Sequence, residues 1–346
     1  MGRHVNIPIF IPHIGCPNLC VFCNQRTISG VREFDPEALP EIIERALSTV
    51  EEDAECEIAF FGGSFTGIDE GLMIRLLEIA HRYIEAGRVT SIRCSTRPDY
   101  ISPRILDILW SYGVRTVELG LQSISDRVLS ASGRGHTSLD EIRAVKLITE
   151  RGFSLVGQMM IGLPGATPED ELATAEFIIE SGADAARIYP TVVFHDTALC
   201  HMAECGEYKP LSTEDAILRS LPALRAFARA GVRVIRIGLS ASENLSGEAY
   251  YAGPNDAALG EMIISEFYYE NIRQSIDKLC LKDEGKDLFL TVHVSRGATS
   301  RAVGHRRKNI NRLTDEYGFW RIAVREDDTL TEYGVRVSVE RKKICT

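Results

Sequence analysis

The sequence predicts an α/β protein, a partial (β/α)6-type barrel followed by a small α+β appendage. Two observations carry this. From residue 5 to about residue 240 one unit recurs: a short apolar run, a turn, then a capped amphipathic segment. Strands alternating with helices in this way build a parallel sheet with right-handed crossovers. After about residue 245 the pattern changes to one helical stretch and three strand-like runs. The expected domains are therefore 1–245 and 246–346.

The candidate strands are residues 7–11, 58–61, 92–95, 116–119, 154–160, 185–188 and 232–235, all rich in apolar and β-branched side chains. Such runs suit strands buried on both faces. Asp35, Pro36 and Glu37 place a cap, then proline at a first helical position, then an acid in the first turn. Thr167, Pro168, Glu169 and Asp170 repeat that order as a capping box with Asp in place of Glu. Asp69, Ser102 and Ser138 open three further helices, and Gly87, Gly113, Gly152, Gly182 and Gly231 stop five. Six or seven such units make a whole or partial barrel, with its chemistry at the C-terminal ends of the strands. Beyond them, Gly253 and Pro254 mark a break, 257–281 reads as helix, and 288–294, 320–324 and 335–339 read as strands with hairpin punctuation.

With 346 residues, 45% hydrophobic and 25% charged, the chain has an average globular composition and ample length for a core. That excludes a disordered, collagenous or coiled-coil chain. The absence of a run of ~20 apolar residues argues against a membrane helix, and no signal peptide opens the sequence, so a soluble cytoplasmic protein is expected. The net charge of −10 is uneven: residues 301–346 are +4 and the first 300 are −14. An acidic body disfavours a broad nucleic-acid footprint, while the basic tail has room for a small one.

Nine cysteines in a long chain without an export signal suggest metal binding or catalysis more than disulfides. Cys16, Cys20 and Cys23 form a C-x3-C-x2-C array just past the first strand, one that chance yields about 0.006 times in such a chain. Three thiolates from one loop suit three irons of a 4Fe-4S cube and leave the fourth iron open for a ligand. A zinc site with His13 as fourth ligand, or three incidental buried cysteines, are the other readings. Phe22 beside Cys23 serves as a shield over a cluster or as core. Cys56, Cys94, Cys280 and Cys345 are scattered, and Cys200, His201 and Cys205 lack a matching partner.

The array resembles the signature of the radical S-adenosylmethionine (SAM) superfamily, and the likeness continues downstream. Residues 58–66 are a strand ending in Gly62 and Gly63, where the superfamily places a turn whose backbone receives the amino group of SAM. Glycine allows that close approach. Ser64 replaces the commoner acid, which leaves this work to backbone carbonyls. Within the superfamily the chain is similar to the radical SAM core of the catalytic subunit of Elongator, through Ser95, Arg97, Pro98, Asp99 and Tyr100; Glu118, Gly120, Gln122 and Ser123; Arg134, Gly135 and His136; Pro164 and Gly165; and Arg187, Tyr189 and Pro190. This likeness runs from about residue 4 to 250. Oxygen-independent coproporphyrinogen oxidase is a more distant relative.

The resemblance implies a radical SAM barrel carrying one 4Fe-4S cluster, ligated by Cys16, Cys20 and Cys23, and binding SAM. Gln122 and Arg134 would hold the methionine carboxylate and ribose, Gln158 the ribose, and Met160 the adenine. Arg187 and Tyr189 would face the cavity mouth. Ser95 stands where many relatives carry Glu as a SAM contact. His136 reads as a substrate-facing acid or base, or as a loop histidine bonded to backbone. The implied reaction is reductive cleavage of SAM to methionine and a 5′-deoxyadenosyl radical, fed by a low-potential donor of flavodoxin or ferredoxin type. The length leaves no place for the relatives' acetyltransferase domain, so acetyltransferase activity is not expected. Three functions remain open: modification of tRNA or another RNA, radical chemistry on a small metabolite or protein, and a non-catalytic iron–sulfur protein.

Overall fold

A computed structural model describes residues 4–11, 16, 20–23, 34–51, 53–239, 249–280 and 287–341. His13 and Cys345 lie outside the described residues. The barrel strands are β1 (His4–Phe10), β2 (Glu55–Phe61), β3 (Ser91–Thr96), β4 (Val114–Gln122), β5 (Ser154–Ile161) and β6 (Ala185–Pro190); the short β7 (Val193–Phe194) follows, then β8 (Arg233–Ile237) and β9 (Tyr250–Ala252). Seven of them form one sheet in the order β1-β2-β3-β4-β5-β6-β8, every neighbouring pair parallel. Each strand lies beside its predecessor, which is the winding of a barrel rather than of a doubly wound sheet. The result is an α/β half-barrel. β7 and β9 pair antiparallel as a two-stranded ribbon after β6.

The helices that cover the sheet are α1 (Leu39–Leu47), α2 (Glu70–Glu85), α3 (Pro103–Ser111), α4 (Asp126–Ala131), α5 (Ser138–Glu150), α6 (Pro168–Glu180), α7 (Ala198–Glu204) and α8 (Thr213–Ala230). Four expected caps form: Asp35 accepts from Glu37 N–H, Asp69 from Leu72, Ser102 from Ile105, and Thr167 closes a capping box with Asp170. At α5 the cap is Thr137, paired with Asp140, so Ser138 is the first helical residue instead. All five predicted stop glycines follow helix ends, with φ between 68° and 85°. Ile7, Ile58, Phe60, Ile92, Val117 and Ile188 from the sheet and Leu76, Leu106, Ile148 and Phe227 from the helices are buried in one core.

Helix α9 (Leu259–Asp277) serves two cores. Leu259, Ile263 and Phe267 pack into the barrel cluster, while Tyr268, Ile272 and Ile276 pack into a second cluster. That second cluster lies under β10 (Leu288–Val294), α10 (Thr299–Val303), α11 (Lys308–Tyr317), β11 (Arg321–Glu326) and β12 (Val335–Arg341). The last two strands do not pair as a hairpin. β10 lies between them, parallel to β11 and antiparallel to β12. Leu290, Val292 and Val294 are fully buried, so β10 takes the centre, and the αα connection makes β11 parallel to it. No described helix is long and apolar enough to cross a membrane.

Candidate active site

Period-two alternation turns every second side chain of a strand toward the inside of the barrel. There, Asn6, Pro8 and Phe10 of β1, Glu118, Gly120 and Gln122 of β4, Gln158 and Met160 of β5, and Arg187 and Tyr189 of β6 line one cavity of about 480 Å³. The loops after the strands close its upper part with Cys16, Cys20, Phe22, Cys23, Gly62, Gly63 and Ser64. Ser95, Thr96, Arg97 and Arg134 complete the wall. The twelve residues that the sequence offers as cluster and SAM contacts all line this one space: the three cysteines, Gly62, Gly63, Ser64, Ser95, Gln122, Arg134, Gln158, Met160 and Arg187.

The floor is an ion network in which Arg187 and Gln158 meet Glu57, Arg93 and Glu118, three residues assigned no role from the sequence. Arg93 bridges two buried carboxylates, Nε to Glu57 Oε2 at 2.6 Å and Nη1 to Glu118 Oε1 at 2.9 Å. Arg187 Nη2 donates to Glu118 Oε1 at 2.8 Å, and Gln158 Nε2 to Glu118 Oε2 at 3.0 Å. Buried charges persist where they are paired and hydrogen-bonded. Burial by itself would lower the Arg187 pKa, but the neighbouring Tyr189 and Glu118 outweigh it and hold it above the usual value. The signal available in the sequence was a glutamate inside an apolar strand, since Glu seldom lies fully buried without a partner. Ser95 lies opposite Glu118 in the β3–β4 register, so an acid stands one strand away from the residue that lacks one.

Two local backbone features shape the upper part. The β4–β5 register shifts between Gly120 and Gln122, and Gln122 takes φ 72°. At Gly62, φ is 101° and a Cβ would fall 2.9 Å from the Ile11 carbonyl oxygen, so only glycine fits. The Ser64 carbonyl accepts from Gly67 N–H at 3.0 Å.

Arg134 Nη1 donates to Cys20 Sγ at 3.4 Å, and its Nη2 donates to the Gly120 carbonyl. Arg97 is paired by both nitrogens with Asp99 at 2.9 Å and donates to the Arg134 carbonyl. His136 does not line the cavity. It is buried behind it, Nε2 against Glu141 Oε1 at 3.0 Å, a partner the sequence reading did not foresee.

These residues suit a 4Fe-4S cluster with bound SAM. Three thiols share the cavity wall, and a guanidinium already points at one sulfur. Asn6 Oδ1, Gln122 Oε1, Arg134 Nε and Arg187 Nε are buried around the cavity without a hydrogen-bond partner among the described residues. Buried polar atoms in that condition are accounted for by a polar ligand. No three His, Cys, Asp or Glu side chains among the described residues converge as ligands of a single ion. A cube instead presents its irons at separate corners.

Fold and site together define a half-barrel protein with three cysteines and a cavity of convergent polar groups at the C-terminal ends of its strands. Residues 10–178 match the radical SAM superfamily and residues 183–269 the radical SAM C-terminal domain, and the chain belongs to the radical SAM superfamily. Its cofactors are accordingly a 4Fe-4S cluster and SAM. It is 31% identical over 181 residues to a tRNA uridine(34) acetyltransferase of Methanocaldococcus jannaschii, covering 46% of this chain and 34% of that protein. It is 30% identical over 223 residues to an uncharacterized protein of the same organism, covering 61% of this chain and 68% of the other. The fold is similar to that of Methanocaldococcus infernus Elp3 with an N-terminal deletion, at TM-score 0.61 and 23% identity over 82% of this chain and 65% of that one. The chain spans about a quarter to a third of the length of the acetyltransferases it matches.

Proposed function

We propose that this chain is a radical SAM enzyme that modifies RNA, with tRNA as the substrate class. The observation that carries the radical chemistry is the meeting of three thiols, the Gly62 turn and four unpartnered buried polar atoms in one cavity. When bound, the cluster and SAM supply one-electron reductive cleavage of SAM to methionine and a 5′-deoxyadenosyl radical, the electron coming from a flavodoxin- or ferredoxin-type donor.

The chain's own residues position and enclose. Cys16, Cys20 and Cys23 ligate the cluster. The backbone carbonyls of Gly62, Gly63 and Ser64 receive the amino group of SAM, that of Ser64 with the lone pair left by its bond from Gly67 N–H. Gln122 and Arg134 take the carboxylate and ribose. Gln158 offers its carbonyl oxygen to the ribose, because its amide is committed to Glu118. Met160, Phe22 and Phe194 give the cavity an apolar lining that excludes water from a reactive intermediate.

The names of the relatives support the RNA reading, and the acidic first 300 residues favour a small metabolite instead. Anaerobic incubation of reconstituted protein with SAM, reductant and either bulk tRNA or a metabolite extract separates them. The proposal expects 5′-deoxyadenosine formation to rise with tRNA and a mass change in its digested nucleosides. Stimulation by metabolites alone, with unchanged nucleosides, would contradict it.

A further inference from the structure

Strands and helices from β10 to β12 lie beyond both matched family regions. In this module β10 leads through α10 and α11 to β11, and the two helices meet at Gly304, His305, Arg306 and Arg307. Arg307 N–H closes the turn on the Gly304 carbonyl at 2.9 Å. Gly304 has φ 77°, and a Cβ there would lie 3.0 Å from Asn309 Cγ. Asn309 is itself buried and donates to the carbonyls of Ser265 at 2.9 Å and Ala302 at 3.2 Å. The turn is therefore locked to α9 and to the end of α10.

From this rigid turn His305, Arg306, Arg307 and Lys308 all project into solvent. None of the four side chains has a hydrogen bond or ion pair with another described residue. Their neighbours Arg301 and Arg312, by contrast, are paired with Glu261 and Glu266. Cations are thus left uncompensated at the turn, within a +4 segment of a chain whose net charge is −10. Arg321 and Arg325 are also exposed, on the edge strand β11 of the same module.

We propose that this turn clamps the sugar–phosphate backbone of single-stranded RNA, an inference that rests on the RNA reading above and gives it a docking surface. Two helices joined by a glycine-led four-residue turn, against a three-stranded sheet, are the construction of the KH module. Its G-x-x-G loop holds the backbone of about four nucleotides. Here Arg307 stands in the place of the second glycine and adopts the left-handed conformation, φ 61°, that glycine favours there. Three cations, Arg306, Arg307 and Lys308, unpaired among the described residues on a fixed turn, match a run of phosphodiesters, and base identity is left to other contacts.

The test is binding of a labelled single-stranded RNA oligonucleotide to the full chain over a series of KCl concentrations. Neutralising one phosphate fewer on a single strand lowers the slope of log K against log salt by about 0.7. The double variant Arg306→Gln/Arg307→Gln is expected to bind on the order of tenfold more weakly, with a slope smaller by about 1.4. Arg307→Gly, which suits the left-handed backbone, is expected to keep the turn and lower the slope by about 0.7. The pair Arg143→Gln/Lys146→Gln, exposed on α5, should bind as the wild type does. Unchanged affinity and slope in the turn variants, with wild-type RNA binding intact, would overturn the clamp alone. A wild-type chain with no salt-dependent RNA binding would overturn the RNA reading as well. SAM cleavage without RNA should be the same in the turn variants as in the wild type.

Discussion

Arg134 donates through Nη1 to the sulfur of Cys20 at 3.4 Å, and its other terminal nitrogen is held by the Gly120 carbonyl. A cation hydrogen-bonded to a cluster thiolate stabilises the more negative, reduced state and raises the reduction potential. Arg134→Met should therefore shift the cluster potential downward, on the order of tens of millivolts, in a redox titration followed by electron paramagnetic resonance. Arg134→Lys should recover part of the shift. An unchanged potential in Arg134→Met would show that the contact does not tune the cluster.

Glu118 is the hub of the cavity floor, accepting from Arg93, Arg187 and Gln158. Glu118→Ala leaves the buried Arg187 guanidinium without its carboxylate and removes one of the two that Arg93 bridges, a change that costs about 3–5 kcal/mol. Glu118→Gln keeps the shape and should cost less, while SAM affinity still falls because Arg187 and Gln158 lose their anchor. Urea denaturation and SAM titration of both variants check this. Glu118→Ala that unfolds like the wild type would contradict it.

Gly62→Ala forces a side chain into a backbone conformation of φ 101° with its Cβ 2.9 Å from the Ile11 oxygen. The strain is about 1–3 kcal/mol. Because the turn borders the cavity, weaker SAM binding should accompany the lower Tm. A Tm loss with unchanged SAM affinity would separate the turn from the ligand.

The buried pair His136–Glu141 gives a pH dependence with a definite sign. Burial, helped by the charge of Arg134, lowers His136 from 6.5 to about 4. Burial raises Glu141 from 4.5 to about 9, with Asp126 and Asp140 adding to it against the opposing charge of Arg134. Between pH 4.5 and 6.5 the pair holds one proton whether folded or unfolded, so it leaves stability flat there. Above pH 6.5 the unfolded pair holds none while the folded pair keeps one to about pH 9. Stability should therefore fall as pH rises through that window, by up to about 3 kcal/mol. In Glu141→Gln only the histidine remains, and stability should instead fall as pH drops below 6.5. Denaturant midpoints across this range test both slopes.

Much of the fold was legible because its signals are local. The caps at Asp35, Asp69, Ser102 and Thr167 and the stop at Gly231 each involve a few consecutive residues, and the apolar runs of seven barrel strands stand out from polar turns. The cysteine array was legible for the same reason. What escaped depends on register between distant segments. Glu57, Arg93, Glu118 and Arg187 come from four strands, and only the barrel winding brings them together. The pairing of β10 with both β11 and β12 was hidden because hairpin spacing between the last two strands suggested the simpler arrangement. His136 does lie in a loop, as expected, but its burial against Glu141 escaped, since that partner lies on the next helix and nothing in the spacing marks that helix position as buried.

The most direct test of the radical SAM assignment is anaerobic cleavage of SAM by the reconstituted protein with dithionite and no substrate. 5′-Deoxyadenosine and methionine should appear in equal amounts, vanish in Cys16→Ala, Cys20→Ala and Cys23→Ala, and persist in Cys280→Ala, whose cysteine is exposed and remote in sequence from the array. A fully clustered wild-type protein that yields neither product with tRNA or metabolites added, or a Cys20→Ala variant that still cleaves SAM, would contradict the account.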